Sequence, residues 1–341
     1  MSVSSANSTT TRRGFCRRAA GLTSAALAGH ILRPSAIQAE RDELPPGEFV
    51  DFHVHLTQQW NQRGALTTRK LLDWMDSHDI AQAVVLPLVS PEAWFYPISP
   101  QWVLEQTAPH RDRLIPFCCV DPRSPGLLGG YNGFLDILRR YVDGGAVGFG
   151  EHKWGGPIDD PRNIELMRAC SELKLPVLFH IDAVRNTDRP GLPGLEKVLK
   201  AAPDATFIGH ANGWWASISG NVKQEDLGRY PGGPVQPGGA IDRLMDTYPN
   251  LYGEISAGSG ANALLRDPEF GRAFVLRRAD RLLFGTDYLA PGQQVRQFDL
   301  IESLELPIDV RKKICCQNAR RILRGSEQAE VPKRPAEARK S

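Results

Sequence analysis

The sequence predicts an α/β protein folded as a (β/α)8 TIM barrel, and three observations carry that prediction. Eight short apolar runs alternate with eight amphipathic stretches. The apolar runs are near-continuous in Val, Ile, Leu and Phe, as strands are when both faces of a parallel sheet are covered by helices. The alternation spans roughly 285 residues, close to the ~250 usual for such a barrel. An open doubly wound sheet is the structural alternative, but it usually carries a Gly-rich phosphate turn after its first strand. Here that position holds His53-Val54-His55.

Strands are expected at 49–56, 82–89, 114–120, 146–151, 176–181, 205–211, 251–256 and 282–287, where β-branched and aromatic residues run between Pro or Gly boundaries. Helices are expected at 66–78, 99–111, 130–143, 161–173, 193–201, 239–248, 261–279 and 308–323, where apolar residues recur at helical spacing. Two connections are longer than the rest. Residues 87–100 hold Trp94, Phe95 and Tyr96, and residues 211–238 hold Trp214 and Trp215 before a Gly/Pro-rich stretch. Both follow strands, so in a barrel both lie on the C-terminal face, where such folds place their active sites. Trp214 and Trp215 are therefore candidates to stack on a planar substrate.

The chain has 341 residues, 41% hydrophobic and 23% charged, with a net charge of +2. That charge is uneven. Residues 1–39 carry five arginines and no acid, which leaves the remainder at −3. A mildly acidic body gives no electrostatic reason to expect nucleic acid as a partner. Residues 1–39 read as a targeting segment: Arg12-Arg13-Gly14-Phe15 resembles a twin-arginine signal, an Ala-rich run follows, and Ile37-Gln38-Ala39 offers a cleavage site. The protein is then expected to be exported to the periplasm by the twin-arginine machinery. The barrel is expected over 40–324 and a disordered charged tail over 325–341. Five cysteines remain after cleavage, an odd number containing two adjacent pairs, which is no disulfide framework and has no CxxC spacing.

Chemistry gathers at the strand ends. His53 and His55 stand at i and i+2 of the first strand, so they share a face about 6–7 Å apart. Glu151 ends the fourth strand, His180 the fifth, His210 the sixth and Asp287 the eighth. Each alone has a structural reading, as a hydrogen-bonded strand-end histidine or a helix-capping aspartate. Together they converge on one end of one barrel, and imidazole with carboxylate is the donor set of divalent zinc, manganese or iron.

At these residues the chain resembles the amidohydrolase superfamily, most closely the amidohydrolase-related branch that includes aminocarboxymuconate-semialdehyde decarboxylase. The likeness runs over roughly 48–324 and rests on Asp51-Phe52-His53-Val54-His55, Leu178-Phe179-His180, Ile208-Gly209-His210, Leu283-Phe284-Gly285-Thr286-Asp287 and Asn318-Ala319-Arg320-Arg321-Ile322-Leu323. The resemblance implies that His53, His55 and Asp287 bind the more buried metal. It implies that His180 completes a one-metal site, with His210 as a nearby acid/base or orienting residue. In a two-metal site Glu151 would bridge the ions, with His180 and His210 on the second; a carbamylated Lys153 is the lesser candidate for the bridge. Zinc is the first expectation, with manganese or iron also fitting. Asp287 would move the proton in catalysis. The expected activity is hydrolysis of an amide, ester or lactone in a small organic substrate. The alternatives are non-oxidative decarboxylation of a small carboxylic acid and a catalytically silent ligand-binding barrel. Arg185, five residues past His180, is a candidate fork for a substrate carboxylate.

Overall fold

The computed structural model describes residues 47–59 and 63–328. Eight parallel strands follow one another: β1 Phe49–Val54, β2 Ile80–Val85, β3 Leu114–Pro116, β4 Phe149–His152, β5 Val177–His180, β6 Phe207–His210, β7 Leu251–Glu254 and β8 Leu282–Leu283. They pair in chain order as one sheet of β1–β3 and one of β4–β8. Parallel bridges span both seams, Cys118 to Phe149 and Val54 to Tyr288. Backbone bonds reinforce the seams, with Phe52 N donating to Phe284 O at 2.9 Å and Gly150 N to Cys118 O at 2.8 Å. This is the TIM-barrel architecture expected from the sequence. Every predicted strand is present, but most stop short of their predicted C-terminal ends. The residues beyond leave the ladder and turn over the barrel mouth.

Helices between the strands are α1 Thr68–Ser77, α2 Pro100–Thr107, α3 Gly130–Asp143, α4 Pro161–Glu172, α5 Pro193–Ala201, α6 Ala211–Ala216, α7 Ala240–Thr247, α8 Ala257–Leu265, α9 Pro268–Arg277, α10 Gln297–Ser303, α11 Ile308–Lys312 and α12 Asn318–Gln328. The single helix predicted over 261–279 is two. Asp267 accepts from Phe270 N and Pro268 takes the first helical position, a strong start signal within an otherwise helical pattern. The stretch predicted as 308–323 contains a π-helical turn, Lys313–Gln317, between α11 and α12. Helix α12 runs to Gln328, past the predicted end of the barrel. The expected targeting segment and the end of the tail lie outside the described residues. Among the described residues no helix is long and apolar enough to cross a membrane. The five cysteines there are all free, and four are buried.

Two apolar layers organise the chain. Val50, Phe52, Val84, Leu86, Ile115, Phe117, Leu178, Ile208 and Leu283 form a cluster inside the barrel, stoppered by Ala319, Ile322 and Leu323 of α12. Phe49, Val54, Val85, Phe149, Val177, Phe179 and Phe207 join the larger layer between strands and helices. Alternation then predicts which later residues point inward. Leu178 leads to His180 and Ile208 to His210 at even spacing, so both histidines face the interior, whereas Asp287 lies beyond the end of β8.

Strands β1 and β4 break that rule. Inward Phe52 is followed directly by His53, and outward Phe149 shares parity with Glu151. Each strand carries a register shift: Asp51 pairs with Ala83 but Val54 with Val85, and Phe149 pairs with Val177 but His152 with Phe179. Three residues on one strand oppose two on its neighbour, which is a β-bulge that re-aims the side chains beyond it. Asp51 staples the first bulge: its Oδ1 accepts from His53 N and from Thr286 N, each at 3.0 Å, and its Oδ2 accepts from Thr286 Oγ1 at 2.5 Å. Burial raises the Asp51 pKa to about 7 despite these bonds.

Candidate metal centre

The bulges and strand ends bring His53, His55, Glu151, His180, His210 and Asp287 together above the interior cluster. His55 Nδ1 donates to Leu86 O at 2.8 Å, and His53 Nδ1 donates to Glu254 Oε1 at 3.2 Å. A carbonyl and a carboxylate only accept, so both protons lie on Nδ1 and both Nε2 atoms present lone pairs. These two lone pairs face each other at 3.1 Å. Asp287 Oδ1 lies 3.5 Å from each Nε2, and Glu151 Oε2 lies 3.5 Å from His55 Nε2 and 3.8 Å from His53 Nε2. Acceptors this close repel unless a cation sits among them. Ligands about 2.0–2.1 Å from a tetrahedral zinc are themselves about 3.4 Å apart, the spacing seen here. The donor set therefore fits a divalent metal. Without one, burial disfavours a charge on His53, but the carboxylates of Asp287, Glu254 and Glu151 override it and raise its pKa to about 9.

A second group of acceptors adjoins the first through Glu151. His180 Nδ1 is 2.6 Å and His210 Nε2 3.6 Å from Glu151 Oε1. His180 Nε2 meets Asp182 Oδ2 at 2.7 Å. Burial, and then the charge of Lys153, lower the His180 pKa, against hydrogen bonds to Asp182 and Glu151 that raise it. Both ring nitrogens thus face a carboxylate oxygen. Glu151 thus turns one oxygen to the His53–His55 pair and the other to His180 and His210. Its own pKa is held low against burial by Lys153, whose Nζ lies 3.4 Å away, and by the histidines. His180 falls with Glu151 and His210, not with the His53–His55 pair.

Glu254, at the end of β7, belongs to the site, and sequence reasoning misses it. Fully buried, it takes His53 Nδ1, His210 Nδ1 and Ser256 Oγ on one carboxylate oxygen and Ser256 N on the other. Its strand-end place, level with His180 and His210, is the available signal. Close packing guards it: a Cβ on Gly285 would lie 2.6 Å from Glu254 Oε2 and 3.3 Å from His53 Cβ.

Arg185, Trp214 and Trp215 differ from their expected roles. Arg185 Nη1 donates to Asp182 Oδ2 at 2.6 Å and its Nε to Glu92 O at 2.8 Å, so its fork is spent inside the protein and orients Asp182. Trp214 and Trp215 are 0% and 1% exposed. They fall on α6, which starts directly after His210 and turns both rings into the core. Trp214 packs on Gly209, where a Cβ would lie 2.3 Å from its ring, and Trp215 Nε1 donates to Glu254 O at 3.0 Å. Neither indole can stack on a substrate; Trp215 braces β7 instead.

A parallel barrel with histidines and carboxylates gathered at the C-terminal ends of its strands is the architecture of a metal-dependent enzyme. The amidohydrolase family model matches residues 50–325, and the chain belongs to that family. No curated protein sequence matches it. Among solved structures, an uncharacterised TIM-barrel protein from Bordetella bronchiseptica is 18% identical, with a TM-score of 0.59 over 82% of this chain and 99% of that one. The 2,6-dihydroxybenzoate decarboxylase from Rhizobium is 17% identical, with a TM-score of 0.50 over 81% and 98%. A probable 2-pyrone-4,6-dicarboxylic acid hydrolase from Acinetobacter baumannii is 13% identical, with a TM-score of 0.53 over 81% and 99%. At these identities the likeness is one of fold.

Proposed function

We propose that the protein is a metal-dependent decarboxylase that removes carbon dioxide from a small carboxylic acid without oxidation. The observation that carries the reading is the convergence of His53, His55, Asp287 and Glu151 on one point, with both imidazole Nδ1 protons already committed. The choice of reaction draws on structures of like fold: beside the Rhizobium enzyme stand a manganese-bound dihydroxybenzoic acid decarboxylase and a 5-carboxyvanillate decarboxylase. The hydrolysis expected first from the sequence becomes the second reading. What favours it is the placing of Glu151 between two acceptor groups, as a pair of cations and a hydrolytic water would need, together with the Acinetobacter relative.

His53, His55 and Asp287 would hold the principal cation, zinc or manganese, and Glu151 with His180 and His210 a second. A bound divalent cation neutralises charge on substrate oxygens as the bond breaks. The carbon–carboxylate bond cleaves, carbon dioxide leaves, and the electron pair left on carbon takes a proton. Asp287 is the residue placed to take a proton from solvent and pass it to that carbon: its side chain is 21% exposed, whereas those of His53, His55 and Glu151 are at 0–1%. Glu254 fixes His210 by its Nδ1, so that Nε2 faces the reacting group.

Two measurements on manganese-loaded protein test this. Offered aromatic carboxylic acids, it should release carbon dioxide and the matching arene; cleavage of an ester, lactone or amide panel with no carbon dioxide would overturn the decarboxylase reading. Metal analysis of wild type and Glu151→Gln decides the bridge. We expect about two ions in the first and one or fewer in the second, since removing a shared ligand leaves the second group with two donors. One ion in both would remove the second site.

A further inference from the structure

Lys153 stands two residues after Glu151, just past the end of β4. Its Nζ lies 3.4 Å from each oxygen of the Glu151 carboxylate. A closed ammonium–carboxylate bond is nearer about 2.7–2.9 Å, so the ammonium straddles both oxygens without seating on either. Among the described residues Glu151 is its only hydrogen-bond partner. The lysine side chain keeps 15% exposure against 1% for Glu151, so its flexible stem can carry the charge out to solvent.

The two groups of donors differ in charge. The first has the Asp287 carboxylate besides Glu151, whereas His180 and His210 share Glu151 alone. Asp182 and Glu254 lie behind those two histidines, and Asp182 is itself paired with Arg185. One ammonium on Glu151 therefore cancels the single negative charge that the second group offers. A divalent cation about 2 Å from Glu151 Oε1 would stand within about 6 Å of Nζ. The histidines register the same asymmetry. Burial, and then Lys153, oppose a proton on His180, and a charge that repels a proton there repels a metal ion too. On His53, burial is countered by Asp287, Glu254 and Glu151, all of them negative.

We infer that Lys153 is a resident third cation that competes with the second divalent ion for Glu151, given the two-ion arrangement proposed above, on which this rests. When metal is scarce the centre holds one ion and the ammonium. It holds two ions only when the lysine swings aside. Lys153 is thus a positioning residue that keeps Glu151 ionised in the one-ion state and spaces the two metal affinities apart. A carbamylated lysine would be the opposite device, a carboxylate that recruits the second ion.

The test is manganese titration of the metal-free full chain, by calorimetry and by the paramagnetic resonance signal of free manganese. Wild type should bind one ion tightly and a second more weakly. Lys153→Met should tighten the second by about tenfold or more, the factor by which a unit charge and a divalent ion about 6 Å apart repel even at the dielectric of water. The first ion should change less. Lys153→Arg keeps the charge and should keep the weak second ion, and Lys153→Gln repeats the neutral case if the methionine variant does not fold. One ion in wild type and two in the neutral variants would be the same result in its strongest form. Second-ion affinities within threefold of wild type in both neutral variants overturn the inference and leave the Glu151 bridge standing. Loss of the second ion from those variants overturns it too, because that marks a lysine that binds metal. So does equal tightening in Lys153→Arg, since the charge would not be the cause. One ion in every protein, Glu151→Gln included, removes the second site and the inference with it. Carbon dioxide release tests the reaction separately from each of these counts.

Discussion

Glu254 shows how a single side chain sets the chemistry of others. It touches no point where the donors converge, yet it holds Nδ1 of both His53 and His210 and so dictates which ring nitrogen each offers. Removing such a partner typically lowers metal affinity by about 10- to 100-fold. Glu254→Gln should show a loss of that size in chelator competition, with unchanged circular dichroism; affinity within twofold of wild type would deny the orienting role. Asp287 demands more care in choosing a variant. Its backbone is left-handed, with φ of 56°, a region that Asn and Asp tolerate better than Ala. Asp287→Asn therefore separates loss of the acid from backbone strain. At this scale the sequence is informative where a polar residue closes an apolar run, as at His180, His210 and Asp287. Glu254 closes Leu251-Tyr252-Gly253 in the same manner, but a carboxylate just before a helix has an ordinary capping explanation, which hides it. Asp51 stands in a recognisable motif; its work on the bulge is invisible to any pattern that counts residues in twos.

Among the elements, the mouth of the barrel is knitted by one polar chain. His180 meets Asp182, Asp182 takes Arg185, Arg185 reaches Glu92 O, and Arg123 joins the Glu92 carboxylate to Asp121, which also accepts from Ser90 Oγ at 2.6 Å. The connections after β2, β3 and β5 are thereby tied together. Burial opposes ionisation of Asp121, but Arg123 and Ser90 win and lower its pKa from 3.8 to about 2. A carboxylate depressed on folding contributes stability above its unfolded pKa and loses it as pH falls through the folded value. Asp121→Asn should therefore be less stable than wild type at pH 5, and the gap should close by up to about 2 kcal/mol as pH falls from about 4 to about 2. Denaturant melts across that range provide the check; a gap independent of pH would show that the pair contributes nothing. The same scale explains the tryptophan error. Residues 211–238 look like one long aromatic loop because a six-residue helix is too short for periodicity to reveal. Once α6 starts at Ala211, Trp214 and Trp215 must point at the core.

For the whole molecule, most of the architecture was legible, since eight buried parallel strands leave eight apolar runs whatever their exact ends. What alternation could not supply was phase. Two bulges reset inward and outward faces in β1 and β4, and without them Glu151 would join Phe149 in the outer layer. The cation completes the assembly energetically. Three acidic side chains, Glu151, Glu254 and Asp287, crowd the site around His53 and His55, so a bound cation would relieve repulsion among the carboxylates that unfolding otherwise releases. A ligand present at about 100 times its Kd stabilises by about 2.7 kcal/mol. Chelation should thus lower Tm by on the order of 5 °C for a domain of this size, and added manganese or zinc should restore it; an unchanged Tm would mean that the folded state gains nothing from the ion.

The stopper of the barrel carries a consequence for how the protein is made. The interior formed by Val50 and Phe52 of β1 is sealed by Ala319, Ile322 and Leu323 of α12, and Phe52 N bonds Phe284 O. Synthesis delivers β1 first and its seal some 265 residues later. A nascent chain on the ribosome can assemble the β1–β3 sheet and even gather His53, His55 and Glu151, but it has no Asp287 and no floor. β1 therefore waits, with one edge unpaired, until Phe284 and the α12 seal have been made.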